Sequence, residues 1–319
     1  MTLVRCEKVK CDSPGGDWTF YIFPSHVVQF EYSKVRDDNV SIKIVTDSTA
    51  DIPPHLAEEL DITVLPVYIN IGENSYLDGV ELTREEFYEN LPTYDSHPKT
   101  SSPSLGSVVD AYERLAGEGA TQILSIHVAL TLSGVQNVAH AAAQSVKSVA
   151  VTVFDSQQLT LGLGFQVLAA ARAAAAGRSL GEIVEMLQGM VHRVYSFAVL
   201  DTLEYLWRGG RLSRVQASVG NLLRIKPMVL LYQGGLTLEK TRTARGALVR
   251  LHQSVRDLAP LENLAVVHAG AREKADALWA QFRHFVPGID TPITTQVAPA
   301  IGVHVGPRAV GLVCVRAAA

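Results

Sequence analysis

Residues 122–154 read QILSIHVALTLSGVQNVAHAAAQSVKSVAVTVF, and this one stretch holds a strand, a helix and a second strand. Residues 122–128 and 149–154 are short β-branched runs with the length and composition of buried strands. Residues 136–145, between them, carry a helical pattern. Strand, helix and strand in succession argue for a parallel sheet, because parallel neighbours need a crossover of this kind.

The same rhythm extends towards the N-terminus. Residues 42–46 (IKIVT) and 62–69 (ITVLPVYI) read as strands, and residues 107–115 as a helix. After Asp155 the rhythm changes. Two helices, about 158–176 and 180–192, lead to a strand at 195–200. A hairpin follows, 228–232 then 236–240, turned by Gln233-Gly234-Gly235. Strands near 264–268, 293–297 and 309–315 finish the chain. The expected fold class is α/β in two lobes, an N-terminal parallel-sheet lobe (41–155) and a C-terminal mixed-sheet lobe (156–319). Residues 1–40 stand apart as an extension with Pro14-Gly15-Gly16 and an aromatic, strand-like run over 18–32.

Composition narrows the function classes. The 319 residues are 47% hydrophobic with a formal net charge of −4 and no block of like charges. That speaks against nucleic acid and against an anionic membrane surface. The most aliphatic stretch, 167–176, is interrupted by Arg172 and is too short to span a bilayer. Cys6, Cys11 and Cys314 are too few for a disulfide framework and lack zinc-ligand spacing. The expectation is a soluble cytoplasmic protein with no integral membrane segment and no metal site.

Signatures of catalysis are missing: no GxxxxGK[ST] loop, no HExxH, no GxSxG elbow. No catalytic residue is assigned. What stands out is a set of hydroxyl-rich segments at strand ends: Thr46-Asp47-Ser48-Thr49, Lys99 to Ser104 (KTSSPS), Leu132-Ser133-Gly134 and Asp155-Ser156. Singly, such residues are ordinary caps and turn formers. Four at one end of a sheet suit a carboxylate or phosphate that must leave water. His304, between Gly302 and Gly306, reads as a loop residue able to approach a ligand. His268 ends a strand, where it is as readily a packed residue.

Taken together, IVTDSTADIP, KTSSPS, LSG at 132–134, DSQQLTLGLG, LEYLWRGGRLS, LLRIKPMV, TRTARGAL, VVHAG and IGVHVGP resemble, in order and spacing from Ile42 to Val315, the DegV family of fatty-acid-binding proteins. The resemblance implies a long-chain fatty acid such as palmitate as bound ligand, with its acyl chain in an apolar tunnel and its carboxylate at the lobe interface. It implies Thr100, Ser101, Ser133 and His304 as carboxylate ligands, and no further cofactor. It implies a partner, an ATP-binding fatty acid kinase subunit that phosphorylates the bound acid, with Arg211 and Arg242 facing that partner. The chain departs from the family pattern at Ala129-Leu130 (a serine pair in relatives), Val135 (threonine) and Arg308 (glycine). Two other readings stand beside this one: a subunit of a small-ketone (dihydroxyacetone-type) kinase with a reactive His304 or His268, and a lipid-sensing regulatory protein.

Overall fold

The computed structural model describes residues 7–13, 16–22, 28–33, 40–212, 215–216, 226–289 and 292–318. Cys6, the Pro14-Gly15 pair, Ser213 and residues 222–225 of the LLRIKPMV segment lie outside the described residues. The chain forms two compact units, Met1–Val40 and Ser41–Ala319. In the first, β1 (Glu7–Ser13), β2 (Gly16–Ile22) and β3 (Val28–Ser33) make an antiparallel sheet of their own.

The second unit begins with β4 (Ile42–Asp47), α1 (Pro54–Glu59) and β5 (Ile62–Leu65). The expected strand over 62–69 is in fact two strands. Pro66 has no N–H to offer a ladder, and the chain leaves the sheet there. It resumes as β6 (Tyr68–Ile71), which pairs with β7 (Asn74–Leu77) and later with β8 (Lys99–Ser101) in a small antiparallel sheet. Between β7 and β8 lies α2 (Arg84–Asn90), started by a Thr83–Glu86 capping box. Then come α3 (Leu105–Gly117), β9 (Gln122–His127), α4 (Val135–Ser145) and β10 (Ala150–Asp155). The strands pair in parallel in the order β10-β9-β4-β5, as the strand–helix–strand pattern requires.

α5 (Thr160–Ala175) explains how two sheets share one core. Its residues are buried on nearly every side, Leu161, Leu163 and Val167 completely. A helix apolar all round must be covered all round. α5 meets β4 and β9 of the parallel sheet as well as β11, β15 and β17 of the second sheet. Beside it runs α6 (Leu180–Val191), opened by a Ser179–Glu182 capping box.

The second sheet is built from β11 (Val194–Val199), β12 (Val215–Gln216), β13 (Lys226–Tyr232), β14 (Gly235–Thr241), β15 (Leu261–His268), β16 (Thr294–Gln296) and β17 (Val310–Arg316). Their order is β12-β14-β13-β11-β17-β15-β16, mostly antiparallel, with parallel pairs at both edges. The hairpin turn is Gln233-Gly234, both residues at positive φ, as a two-residue type I′ connection requires. β17 is buried from Val310 to Val315, consistent with a central strand covered on both faces. Leu312 and Cys314 face α8 (Ala244–Leu258) and α9 (Arg272–Phe282), whereas Val313 and Val315 join the core around α5. Short helices α7 (Glu204–Arg208) and α10 (Pro299–Val305) close the end of the unit that carries the site.

Candidate functional site

Strand register shapes the floor of a large cavity. Val229, Ala198, Gly311 and Val267 are direct neighbours across β13, β11, β17 and β15, so all four project to the α5 side of the sheet. All four line the cavity. The middle pair are the smallest side chains in the row, which leaves a trough across the sheet. Leu231 and Leu236 extend the apolar wall along the hairpin, and Ala300 and Ile301 of α10 close over it. No Asp or Glu is among the described residues lining the cavity.

One end of the cavity is polar. Thr100 and Ser101 come from β8, placed by pairing of Ile69 with Thr100 and Tyr68 with Ser101. Ser102, next in the chain, and Ser133 with Gly134, ahead of α4, line the same end. His304 is in the last turn of α10, which corrects the expected loop placement. Pro299 starts that helix, and Gly302 lets it approach α2 so closely that a Cβ would collide with the Phe87 and Tyr88 rings. His304 Nε2 lies 3.5 Å from Thr100 Oγ1. That is long for a direct bond, and both groups can turn a donor towards an anion in the cavity instead. Ser101 Oγ accepts from Asn70 Nδ2 at 2.7 Å, which leaves its proton to donate.

The structure thus gathers Thr100, Ser101, Ser133 and His304 on one cavity. Arg211 is there too, half-buried, its Nη1 donating to the Gly209 carbonyl at 2.9 Å. Arg242 is elsewhere, exposed on the bend between β14 and α8. Thr49, Thr160, Ser196 and His268 also line the cavity and were not assigned from the sequence as ligands. Burial lowers the pKa of His268, whose Nδ1 accepts from the Ala271 amide. Ala129, Leu130, Val135 and Arg308 do not line it. Arg308 points to Asp201 instead, Nε to Oδ2 3.3 Å.

Asp155-Ser156, and the 46–49 segment apart from Thr49, have ordinary structural roles. Ser156 Oγ donates to the His127 carbonyl at 2.7 Å, and Asp155 Oδ1 accepts from Gln157 N at 2.9 Å. Asp47 accepts from the amides of Thr49 and Val128 and lies 3.0 Å from His127 Nδ1. Burial pushes its pKa up, but its interactions with His127, the Thr49 hydroxyl and the Val128 amide together hold it below the usual range. Ser125 Oγ is 2.7 Å from His127 Nε2, so Ser125, His127 and Asp47 have the connectivity of a hydrolytic triad. All three are fully buried, none lines the cavity, and Ser125 accepts a hydrogen bond from Tyr112. With no route for a substrate, this chain of bonds ties β4 to β9.

The architecture and the cavity define an α/β protein whose parallel and mixed sheets flank a large apolar chamber with a polar, cationic end. The chain belongs to the DegV family: the family profile described as "Uncharacterised protein, DegV family" matches residues 41–317. A DegV domain-containing protein of Staphylococcus aureus is 35% identical over 279 residues, covering 86% of this chain and 98% of the relative. Among solved structures, DegV of Bacillus subtilis, described as a fatty acid binding protein, is 32% identical with a TM-score of 0.79, covering 86% of this chain and 99% of the other. A DegV family protein of Thermus thermophilus, described for its fatty acid binding, is 29% identical with a TM-score of 0.79, covering 87% and 100%.

Proposed function

We propose that this chain is a cytoplasmic carrier that binds one long-chain fatty acid, such as palmitate, and presents it to a separate ATP-binding fatty acid kinase subunit. The carboxylate sits among Thr100, Ser101, Ser133 and His304, where the lobes 41–155 and 156–319 meet. The acyl chain runs over the trough at Ala198 and Gly311. The observation that carries this reading is the gradient along one cavity, from an apolar sheet face to hydroxyls, an imidazole and the Arg211 guanidinium, with no acidic side chain among the described residues of the wall. Such an end favours an anion and such a floor favours a hydrocarbon. Burying ~14 methylenes at about 0.8 kcal/mol each contributes roughly 11 kcal/mol before ordering costs. The fatty-acid-binding descriptions of the Bacillus and Thermus relatives support the same ligand class. A small polar ketone would leave that floor unfilled.

The kinase step is tested by a paired assay. With fatty acid, ATP and magnesium, the isolated chain should leave the acid unchanged. Adding a matching kinase subunit should transfer the terminal phosphoryl group to a carboxylate oxygen, giving acyl phosphate and ADP. Arg242→Ala should keep binding and slow transfer, whereas Arg211→Ala, on the cavity wall, reports whether that arginine serves the ligand as well. Transfer by the isolated chain would replace the carrier reading with an enzymatic one.

A further inference from the structure

At one end of the mixed sheet, a single carboxylate holds three cations. β11 ends at Val199, which pairs with Met228 of β13 on one side and Val310 of β17 on the other. Asp201, Lys226 and Arg308 lie just beyond that row, and Lys274 reaches over from α9. Lys226 Nζ lies 3.0 Å from Asp201 Oδ1 and donates to the Asp201 carbonyl at 3.1 Å. Lys274 Nζ lies 3.8 Å from the same Oδ1 and donates to the Arg308 carbonyl at 3.1 Å. Arg308 Nε lies 3.3 Å from Oδ2. Burial pushes the Asp201 carboxyl up, but the Lys226 hydrogen bond and the charges of Lys274, Lys226 and Arg308 outweigh it and hold it below the usual range. Asp201 is therefore ionised at neutral pH, and three cations against one carboxylate leave a surplus of two positive charges.

Fold stability does not explain this arrangement. Exposed ion pairs add little to stability, and cations gathered on one carboxylate repel one another. Arg308 also occupies the left-handed region, φ 68°, where a glycine would sit without strain. What the arrangement supplies is a fixed set of positive groups open to solvent. The Arg308 side chain is 68% exposed and approaches Asp201 most closely through Nε, so the far edge of its guanidinium is open to an outside acceptor. Lys226 and Lys274 are also part-exposed. On the neighbouring helices, Glu204 is paired with Arg208 at 2.6 Å and Asp276 with Arg272 at 2.9 Å. Glu273, the remaining acid of α7 and α9, can offset only part of the surplus.

None of the four residues lines the cavity, but Leu200 and Ala309, next to Asp201 and Arg308 in the chain, do. The chain also ties the cluster to the polar end: His304 precedes Arg308 by way of Gly306, and α7 and Arg211 follow Asp201. Arg242 shares the same sheet end, since Thr241 before it pairs with Lys226. A small phosphate dianion would meet the Asp201 carboxylate at the centre of the group. Carboxylates spread over a protein surface can instead take the outer sides of the cations. We propose that Lys226, Lys274 and Arg308, spaced by Asp201, form a docking surface for an acidic face of a partner protein, the ATP-binding subunit of the function above. The identity of the partner rests on that reading, whereas the surface and its preference for carboxylates do not.

The test has two arms on the full chain. In the first, association with a matching kinase subunit is followed by surface plasmon resonance between about 50 and 300 mM NaCl, a range over which exposed charges become screened. Arg308→Gly and Lys274→Gln should each slow association about three- to fivefold at the lower salt and flatten its salt dependence, as loss of a rim charge does. Both should keep wild-type fatty acid affinity. Arg308→Gly, relieved of its left-handed strain, keeps the test open if Lys274→Gln fails to fold. Arg193→Gln, which removes an ion-paired cation at the other end of β11, should change neither quantity. In the second arm, the Arg308 Nε–H signal, assigned with Arg308→Gly, is followed by NMR as poly-L-glutamate or, at matched ionic strength, inorganic phosphate is added. Poly-L-glutamate should shift the signal, and Lys274→Gln should weaken that response. A larger response to phosphate would make this a small-anion site and overturn the docking surface. Wild-type association rates and salt dependence in both variants, or a signal unmoved by poly-L-glutamate, would overturn it as well. If the kinase subunit binds no form of the chain while poly-L-glutamate still binds here, the partner named above is wrong and the surface stands.

Discussion

Thr100 and His304 face each other across a gap that the folded chain leaves open to the cavity. If a carboxylate closes that gap, Thr100→Val and Ser133→Ala each leave it short of a donor, at a cost of about 1–3 kcal/mol in binding. His304→Ala should cost at least as much. Melting temperatures should stay near wild type, since none of the three is fully buried. Titration calorimetry with matched fatty acid checks this, and equal affinities in all three variants would refute the assignment. Residues such as these were legible because short runs of hydroxyls and a histidine between glycines stand out along a sequence. The ion pair of buried Asp51 with Arg84, which also takes the Ala298 amide, was not. Residues 51, 84 and 298 meet only after folding, and an aspartate bound for a low-dielectric interior looks in sequence like any turn former.

At the scale of elements, periodicity revealed what was long and regular. The parallel strands, α3 to α6 and the β13–β14 hairpin fall within a few residues of their expected places. Short pieces were hidden. β6, β7 and β8 are three or four residues each and give no period to read, yet β8 carries Thr100. α10 was mistaken for a loop because its seven residues hold a glycine, which usually weakens a helix. Here Gly302 is kept by close packing against α2. The trough was hidden too, since the Ala198–Gly311 pairing depends on register between strands far apart in sequence. That pairing yields a prediction about length selection. Ala198→Leu should fill the trough and shorten the chain it accepts. Displacing two or three methylenes at about 0.8 kcal/mol each costs roughly 2 kcal/mol, so C18 acids should lose about 30-fold in affinity while C14 acids lose little. Equal losses for both lengths would place the acyl chain elsewhere.

At the scale of the whole molecule, two sheets that could each have formed a separate core share α5, and the start of that helix, Leu159 and Thr160, lines the cavity. No helix of the described residues is long and apolar enough to cross a membrane. The α/β class with one parallel and one mixed sheet could be read from the change of rhythm after Asp155, whereas the chamber between the sheets required coordinates. Its contents are the central claim. The most direct measurement is organic extraction of the purified full chain with mass spectrometry of the extract, followed by delipidation and rebinding. The account expects about one fatty acid of roughly C14–C18 per chain, a range in which ~0.8 kcal/mol per methylene sustains retention, and recovery of one equivalent on rebinding. A chamber that yields no fatty acid and refuses it after delipidation would contradict the account.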